Sequence, residues 1–252
     1  MLMHNYGRVA AIVFLSLVAP CASSCKDGAQ NGSGASQNAS AKPGRWIAQY
    51  RSPASMNIQG TNLATYSYSS LSVVSRDVVF VAGDIPHPTI REERIAVVIR
   101  TTDGGKNWTE RLIEQPGMRI PTLNSIHFVS PEVGWAVGLD SAGNGIALKT
   151  TDGGTSWAAT KLSFNQAPTS VFFIDTENGW MGGSTPPPGE DDGDGGPSDL
   201  LGTTDGGATW RSQRRLPVTI TDIFFLDKST GWASGTRGAI YHTTDGALTS
   251  DS

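Results

Sequence analysis

An all-β chain, folded as a β-propeller of four-stranded antiparallel blades, is what the sequence predicts, and three observations predict it. The first is a repeated turn. Thr101-Thr102-Asp103-Gly104-Gly105-Lys106-Asn107-Trp108 returns over 150–157 and over 203–210, and a fourth copy opens as Thr243-Thr244-Asp245-Gly246. The Asp-to-Asp intervals of 49, 53 and 40 residues are those of a repeat architecture with one supersecondary unit per repeat. The second is a strand pair ahead of each turn. Its two bulky residues stand seven apart, as Phe128/Trp135, Phe173/Trp180 and Phe225/Trp232, with Val73/Phe80 in the same places in the first repeat. The third is composition: 30 glycines and 7 tryptophans, with no long amphipathic helical stretch in the body of the chain.

Taken in order, the chain opens with Arg8 and an apolar run from Val9 to Ala19. That run is too short to cross a membrane and has the form of a secretory leader over residues 1–24. Both cysteines of the chain, Cys21 and Cys25, lie here, so neither a disulfide framework nor a thiolate metal site is expected in the folded body. Ala22-Ser23-Ser24-Cys25 resembles a bacterial lipobox, which makes Cys25 a candidate for lipidation. Residues 25–44 are rich in Gly, Ser, Asn, Gln and Ala and read as a flexible tether. The folded body is then 45–252.

Within the body, each repeat reads as two strands joined by a polar turn, such as 130–134 or 175–179. A third strand ends in the Thr-Thr-Asp-Gly-Gly turn, and a fourth starts near the tryptophan. In the repeated turn the glycines supply positive φ. The carboxylate of Asp103, Asp152, Asp205 or Asp245 can accept hydrogen bonds from turn amides. Trp108, Trp157 and Trp210 are expected to pack between blades. A catalytic group is not normally repeated once per blade, so these aspartates read as turn-holding residues.

The Thr-x-Asp-x-Gly-x-x-Trp element is similar to the Asp-box, or BNR repeat. Its combination with a preceding Gly-Trp-Ala-x-Gly strand, as in Gly134-Trp135-Ala136-Val137-Gly138, resembles the photosystem II assembly and stability factor family. The resemblance implies a seven-bladed propeller and a non-enzymatic scaffold that holds a protein client such as a membrane-complex subunit. It also implies an exported, membrane-anchored location on the periplasmic or cell-surface side. Only about four blades are visible. In the fourth, Ala247 stands where the second glycine is due and Ser250 where the tryptophan is due. The chain therefore reads as an incomplete, truncated propeller, prone to associate through an exposed apolar edge. As an alternative, the segment Arg45 to Tyr50 supplies a missing outer strand.

In a propeller the Asp-box turns share one face and the irregular insertions share the other, where binding is expected. Arg119, Arg211, Arg214 and Arg215 are the candidate binding residues, read as lying in connecting segments on that second face. The acidic run Glu190 to Gly195 fails the calcium-loop test, because Glu190 would be the first ligand and Leu201 the twelfth. No metal or cofactor is expected, and His87, His127 and His242 suggest no metal triad. A formal charge of -4 with 17% charged residues argues against nucleic acid as a partner. The alternative function is a sialidase-like or xyloglucanase-like glycoside hydrolase or carbohydrate-binding propeller. Met118-Arg119-Ile120-Pro121 echoes the Arg-Ile-Pro motif of sialidases, but it follows an Asp-box instead of preceding one. No pair of acids for glycoside hydrolysis can be placed in the sequence.

Overall fold

The structure, a computed structural model, describes residues 48–50, 66–90, 93–185 and 196–246. The leader 1–24, the tether 25–44, Cys25, the acidic run 190–195 and the end of the fourth box lie outside these residues.

Among the described residues, fifteen strands form four antiparallel sheets in chain order. Blade 1 comprises β1 (Ser67–Val73), β2 (Val79–Pro86), β3 (Arg94–Thr101) and β4 (Thr109–Leu112). Blade 2 comprises β5 (Thr122–Phe128), β6 (Gly134–Leu139), β7 (Gly145–Thr150) and β8 (Ala158–Lys161). Blade 3 comprises β9 (Ala167–Phe173), β10 (Gly179–Ser184), β11 (Ser198–Thr203) and β12 (Arg211–Leu216). Blade 4 has three strands among the described residues, β13 (Ile220–Phe225), β14 (Gly231–Gly235) and β15 (Ile240–Thr243). Each blade packs on the next, and the first strands β1, β5, β9 and β13 lie side by side. The chain is thus an all-β propeller assembly with Asp-box turns between the third and fourth strands.

Two repeated devices join the blades. The first is aromatic. The second-strand residue of one blade stacks on the first-strand Phe of the next: Phe80 on Phe128 at 3.5 Å, Trp135 on Phe173 and Trp180 on Phe225 at 3.6 Å. The box tryptophans close this stack edge-on, Trp157 against Phe128 at 6.1 Å and Trp210 against Phe173 at 5.8 Å. Trp157 is buried and Trp210 half-buried, and such ring pairs add roughly 0.5–1.5 kcal/mol each beyond area burial. Trp108 meets Tyr50 instead, at 6.0 Å.

The second device is a β-bulge at the same place in every first strand, leaving Ser69, Asn124, Thr169 and Thr221 as the extra residues. The first three reach into the next blade. Ser69 Oγ donates to the Leu123 carbonyl at 2.6 Å, Asn124 Nδ2 to the Pro168 carbonyl at 2.8 Å, and Thr169 Oγ1 to the Ile220 carbonyl. The bulge also brings its strand close to the partner strand. A Cβ on Gly83, Gly138 or Gly183 would stand 2.0, 2.2 or 2.3 Å from a backbone oxygen. This close approach is why the strand motif ends in glycine.

The segment Arg45 to Tyr50 does not add a strand to any blade within its described part, Ala48–Tyr50. It lies on blade 1, where Gln49 Nε2 donates to the Gly104 carbonyl at 3.2 Å and the Tyr50 hydroxyl meets Glu110 at 3.2 Å.

Candidate interaction face

The Asp-boxes sit on one face and are fully occupied by their own turns. In blade 2, Asp152 Oδ1 accepts from the Thr150 hydroxyl at 2.8 Å, from the Thr155 N–H at 3.0 Å and from the Ser156 N–H at 2.9 Å. Its Oδ2 accepts from the Ser156 hydroxyl at 2.6 Å. Asp103 and Asp205 repeat the pattern through Asn107 and Thr209. In Asp245 the Thr243 hydroxyl bond persists at 2.6 Å. The first box glycine then ties the turn to the hairpin of its own blade. Its N–H donates to Asp77, Glu132, Glu177 or Ser229 carbonyl oxygens at 2.7–3.1 Å. Hydrogen bonds from Asn107, Ser156 and Thr209 hold Asp103, Asp152 and Asp205 at a pKa of about 2. A carboxylate so committed is a poor proton donor or nucleophile near neutral pH, which supports the structural reading of the boxes.

The opposite face carries the loops between second and third strands and the connections between blades. Between the first such loop and the segment following β4 lies a cleft of about 130 Å³, lined by His87, Arg94, Glu114, Gln115, Met118 and Arg119 among others. Its walls are anchored by main-chain bonds. Ile113 N–H donates to Ala96 O at 2.9 Å, Ala96 N–H to Ile120 O at 2.8 Å, and Ser141 N–H to Arg119 O at 2.9 Å. His87 Nδ1 accepts from the N–H groups of Thr89 and Ile90 at 3.2 and 3.1 Å, which leaves Nε2 as the protonated nitrogen of the neutral ring. Two ion pairs flank the cleft: half-exposed Arg119 with Glu93, and Arg94 with the largely buried Asp84. In blade 2 the corresponding loop is built on Asp140. Burial raises its pKa, but hydrogen bonds from Asn144 and Ala142 and the Lys161 ammonium at 3.3 Å outweigh this and hold it at about 2.

Of the four arginines singled out in the sequence, only Arg119 lines this cleft. Arg211, Arg214 and Arg215 belong to β12, the outermost strand of blade 3, and not to a connecting segment. Arg211 pairs in register with Gly202 and Arg215 with Asp199. The Arg215 guanidinium meets the Asp199 carboxylate at 2.8 Å. These three lie along the outermost strand of blade 3, and none lines the cleft beside Arg119. An outer strand wets one face, so charged residues can replace the usual alternation; this is why the run resembled a loop. The cleft itself escaped sequence reading because its residues come from two separate segments with no shared pattern.

Residues 67–186 match the family model described as Photosynthesis system II assembly factor YCF48. No curated protein matches the chain. Among solved structures, one of YCF48 bound to D1 peptide aligns at 20% identity and a TM-score of 0.48, over 71% of this chain and 50% of that one. A GH74 enzyme from Niastella koreensis aligns at 15% identity and 0.48, over 72% of this chain and 29% of that one. YCF48 from Cyanidioschyzon merolae aligns at 14% identity and 0.33, over 74% and 84%. The chain thus spans half the length of the first of these structures and less of the second. The match takes in β1 to β10 with the first two Asp-boxes, and over residues 67–186 the chain is similar to the photosystem II assembly factor family.

Proposed function

We propose that the chain is a non-enzymatic scaffold that holds a protein client on its loop face, centred on the cleft between Arg94 and Arg119. The observation that carries this reading is the division of labour between the two faces. The repeated carboxylates are consumed in turns on one face, while the other presents a cleft at a blade junction lined by the ion-paired Arg94 and Arg119 together with His87 and Glu114. Half-exposed ion pairs can be exchanged for contacts to a charged peptide at little net cost, and the family match favours a protein client over a glycan. The leader pattern and Cys25 complete the reading: the protein is exported and tethered to a membrane by an N-terminal lipid, where the client is a membrane-complex subunit.

Capture of a client from solubilised membranes on the immobilised chain tests it, with captured subunits identified by mass spectrometry. Arg119→Glu is expected to weaken capture at least about tenfold, the scale of a lost charged contact at an interface. Arg211→Glu on the rim is expected to leave it unchanged. Hydrolysis of a sialoside or a xyloglucan oligosaccharide by the same preparation would overturn the scaffold reading. Metabolic labelling with palmitate, lost in Cys25→Ser, is the expected sign of the anchor.

A further inference from the structure

The charges around the cleft at the junction of blades 1 and 2 are of two kinds. Both guanidinium groups are engaged, Arg119 with Glu93 and Arg94 with Asp84, and these two pairs cancel. Glu114 also lines the cleft, is exposed, and has no hydrogen bond or ion pair among the described residues. The net charge the cleft offers a ligand is therefore that of one carboxylate. The remaining lining is apolar: the buried Ile95, Ile113 and Ile120 and the half-buried Met118.

The backbone that carries Glu114 is fixed on both sides. Before it, the Ile113 N–H is held by the Ala96 carbonyl at 2.9 Å. After it, Gln115-Pro116-Gly117-Met118 makes a type II turn: proline presets φ at its second position, Gly117 supplies a φ of +70° at its third, and the Met118 N–H donates to the Gln115 carbonyl at 3.2 Å. Gln115 Nε2 then donates across the blade junction to the Trp157 carbonyl at 2.7 Å. A ligand meeting Glu114 has little loop to order, which favours binding.

Size and chemistry narrow what fits. A volume of about 130 Å³ is well below the roughly 300 Å³ at which sites for whole small molecules begin, so the cleft admits a single side chain. An acidic side chain would meet the Glu114 carboxylate with like charge. A purely aliphatic one would cover that carboxylate without giving it a partner, which costs free energy. Lysine and arginine satisfy both parts of the lining, because their stems bury along apolar surface while the head stays at the polar edge.

We propose that the cleft seats one lysine or arginine side chain of the client, its stem against Met118 and the three isoleucines and its charged head on Glu114. This rests on the client-scaffold reading above and adds which residue of a client the site selects. Arg119, which exchanges Glu93 for an acidic group of the client, asks for a neighbour of the opposite sign. The segment recognised is therefore one of mixed charge, with the basic residue as its anchor.

A positional library of hexapeptides with acetylated and amidated ends, passed over the immobilised 252-residue chain, tests this. Lysine and arginine are expected to be enriched at one position about fivefold over norleucine, which keeps the stem without the charge; that factor is the upper end for an exposed ion pair. Aspartate and glutamate are expected to be depleted there. Glu114→Gln is expected to abolish the preference and Glu114→Lys to reverse it, both with unchanged circular dichroism because the side chain is exposed. Glu132→Gln, in the hairpin that braces an Asp-box turn, is expected to leave it intact. Capture that depends on Arg119 but selects no cation, or selects one equally in Glu114→Gln, would overturn this inference and leave the scaffold reading standing. A preference lost equally in Glu132→Gln would also overturn it, as attraction to overall charge. No Arg119-dependent capture of any peptide would overturn both.

Discussion

Phe128 and Gly134 face each other across β5 and β6, and the Phe128 ring occupies the space a Gly134 side chain would fill: a Cβ there would stand 2.5 Å from three ring carbons. Phe173 with Gly179 and Phe225 with Gly231 repeat the relationship at 2.5 and 2.4 Å. Blade 1 solves the same packing differently, with Val73 opposite Val79. Phe–Gly and Val–Val are two fillings of one volume.

Gly134→Val alone is therefore expected to cost about 3 kcal/mol, by overpacking against the ring. Combined with Phe128→Val it is expected to cost less than the two single changes together, with a coupling of about 1–3 kcal/mol. Urea unfolding of the four members of the cycle measures this, and strict additivity would show that the two sites do not share a volume.

The bulge makes a second, steeper demand. Gly138→Ala would put a Cβ 2.2 Å from the Thr122 carbonyl oxygen, a backbone atom that cannot move aside, and is expected to cost about 3 kcal/mol or more. Gly143→Ala meets nothing within 4 Å and strains only a φ of +83°. Its expected cost is about 1–2 kcal/mol. Equal losses in the midpoint of unfolding would remove the close-approach account of the strand glycine.

His127 stands in register with Trp135, at the position of Phe172 and Phe224 in the later blades, and its ring lies 4.5 Å from Phe172. Burial lowers its pKa from 6.5 to about 4. A base held neutral in the fold binds its proton more readily when unfolded. Its contribution is intact above pH 6.5 and is lost as the pH falls from there toward 4. His127→Phe is expected to be more stable than wild type at pH 5, by about 2 kcal/mol relative to the difference at pH 8. Thermal unfolding at the two values checks it; a pH-independent difference would place the imidazole in water.

The box aspartates act in a lower window. Their folded pKa of about 2 lies below the ordinary 3.8. Their stabilisation is complete above pH 3.8 and disappears as the pH falls from there through 2. Asp152→Asn is expected to flatten that part of the melting curve while leaving the histidine window untouched. Melting temperatures measured between pH 5 and pH 2 decide it, and an unchanged slope would mean that these hydrogen bonds do not favour the charged form.

Much of the fold was legible because its marks are local. A turn with two positive-φ residues and buried amides admits few sequences, so Thr101 to Trp108 and its copies announced both the blades and the face they occupy. The Gly-Trp-Ala-x-Gly strand announced the blade contacts. The bulge ladder was not legible. Ser69, Asn124, Thr169 and Thr221 share only a short polar side chain, and what the first three bind is a main-chain atom of another repeat. The interaction face was legible as a direction and not as a set of residues. Arg119 lies on it, but Arg211, Arg214 and Arg215 lie on a rim strand whose polarity hid its pairing. The role of Gln49 was also invisible: its bond to Gly104 O takes the place of those from Arg100 Nη1 to Gly153 O and from Trp135 Nε1 to Gly206 O, and it resembles neither donor.

That last substitution has an evolutionary consequence. The acceptor in these three bonds is a peptide oxygen, which no codon change can delete. The donor may be a carboxamide, a guanidinium or an indole, supplied by whichever neighbour comes first. After duplication, one partner in each contact stays constant while the other is free to drift. Repeats joined this way can lose almost all resemblance along their flanks and still recognise their neighbours, leaving the turn as the last trace of their common origin.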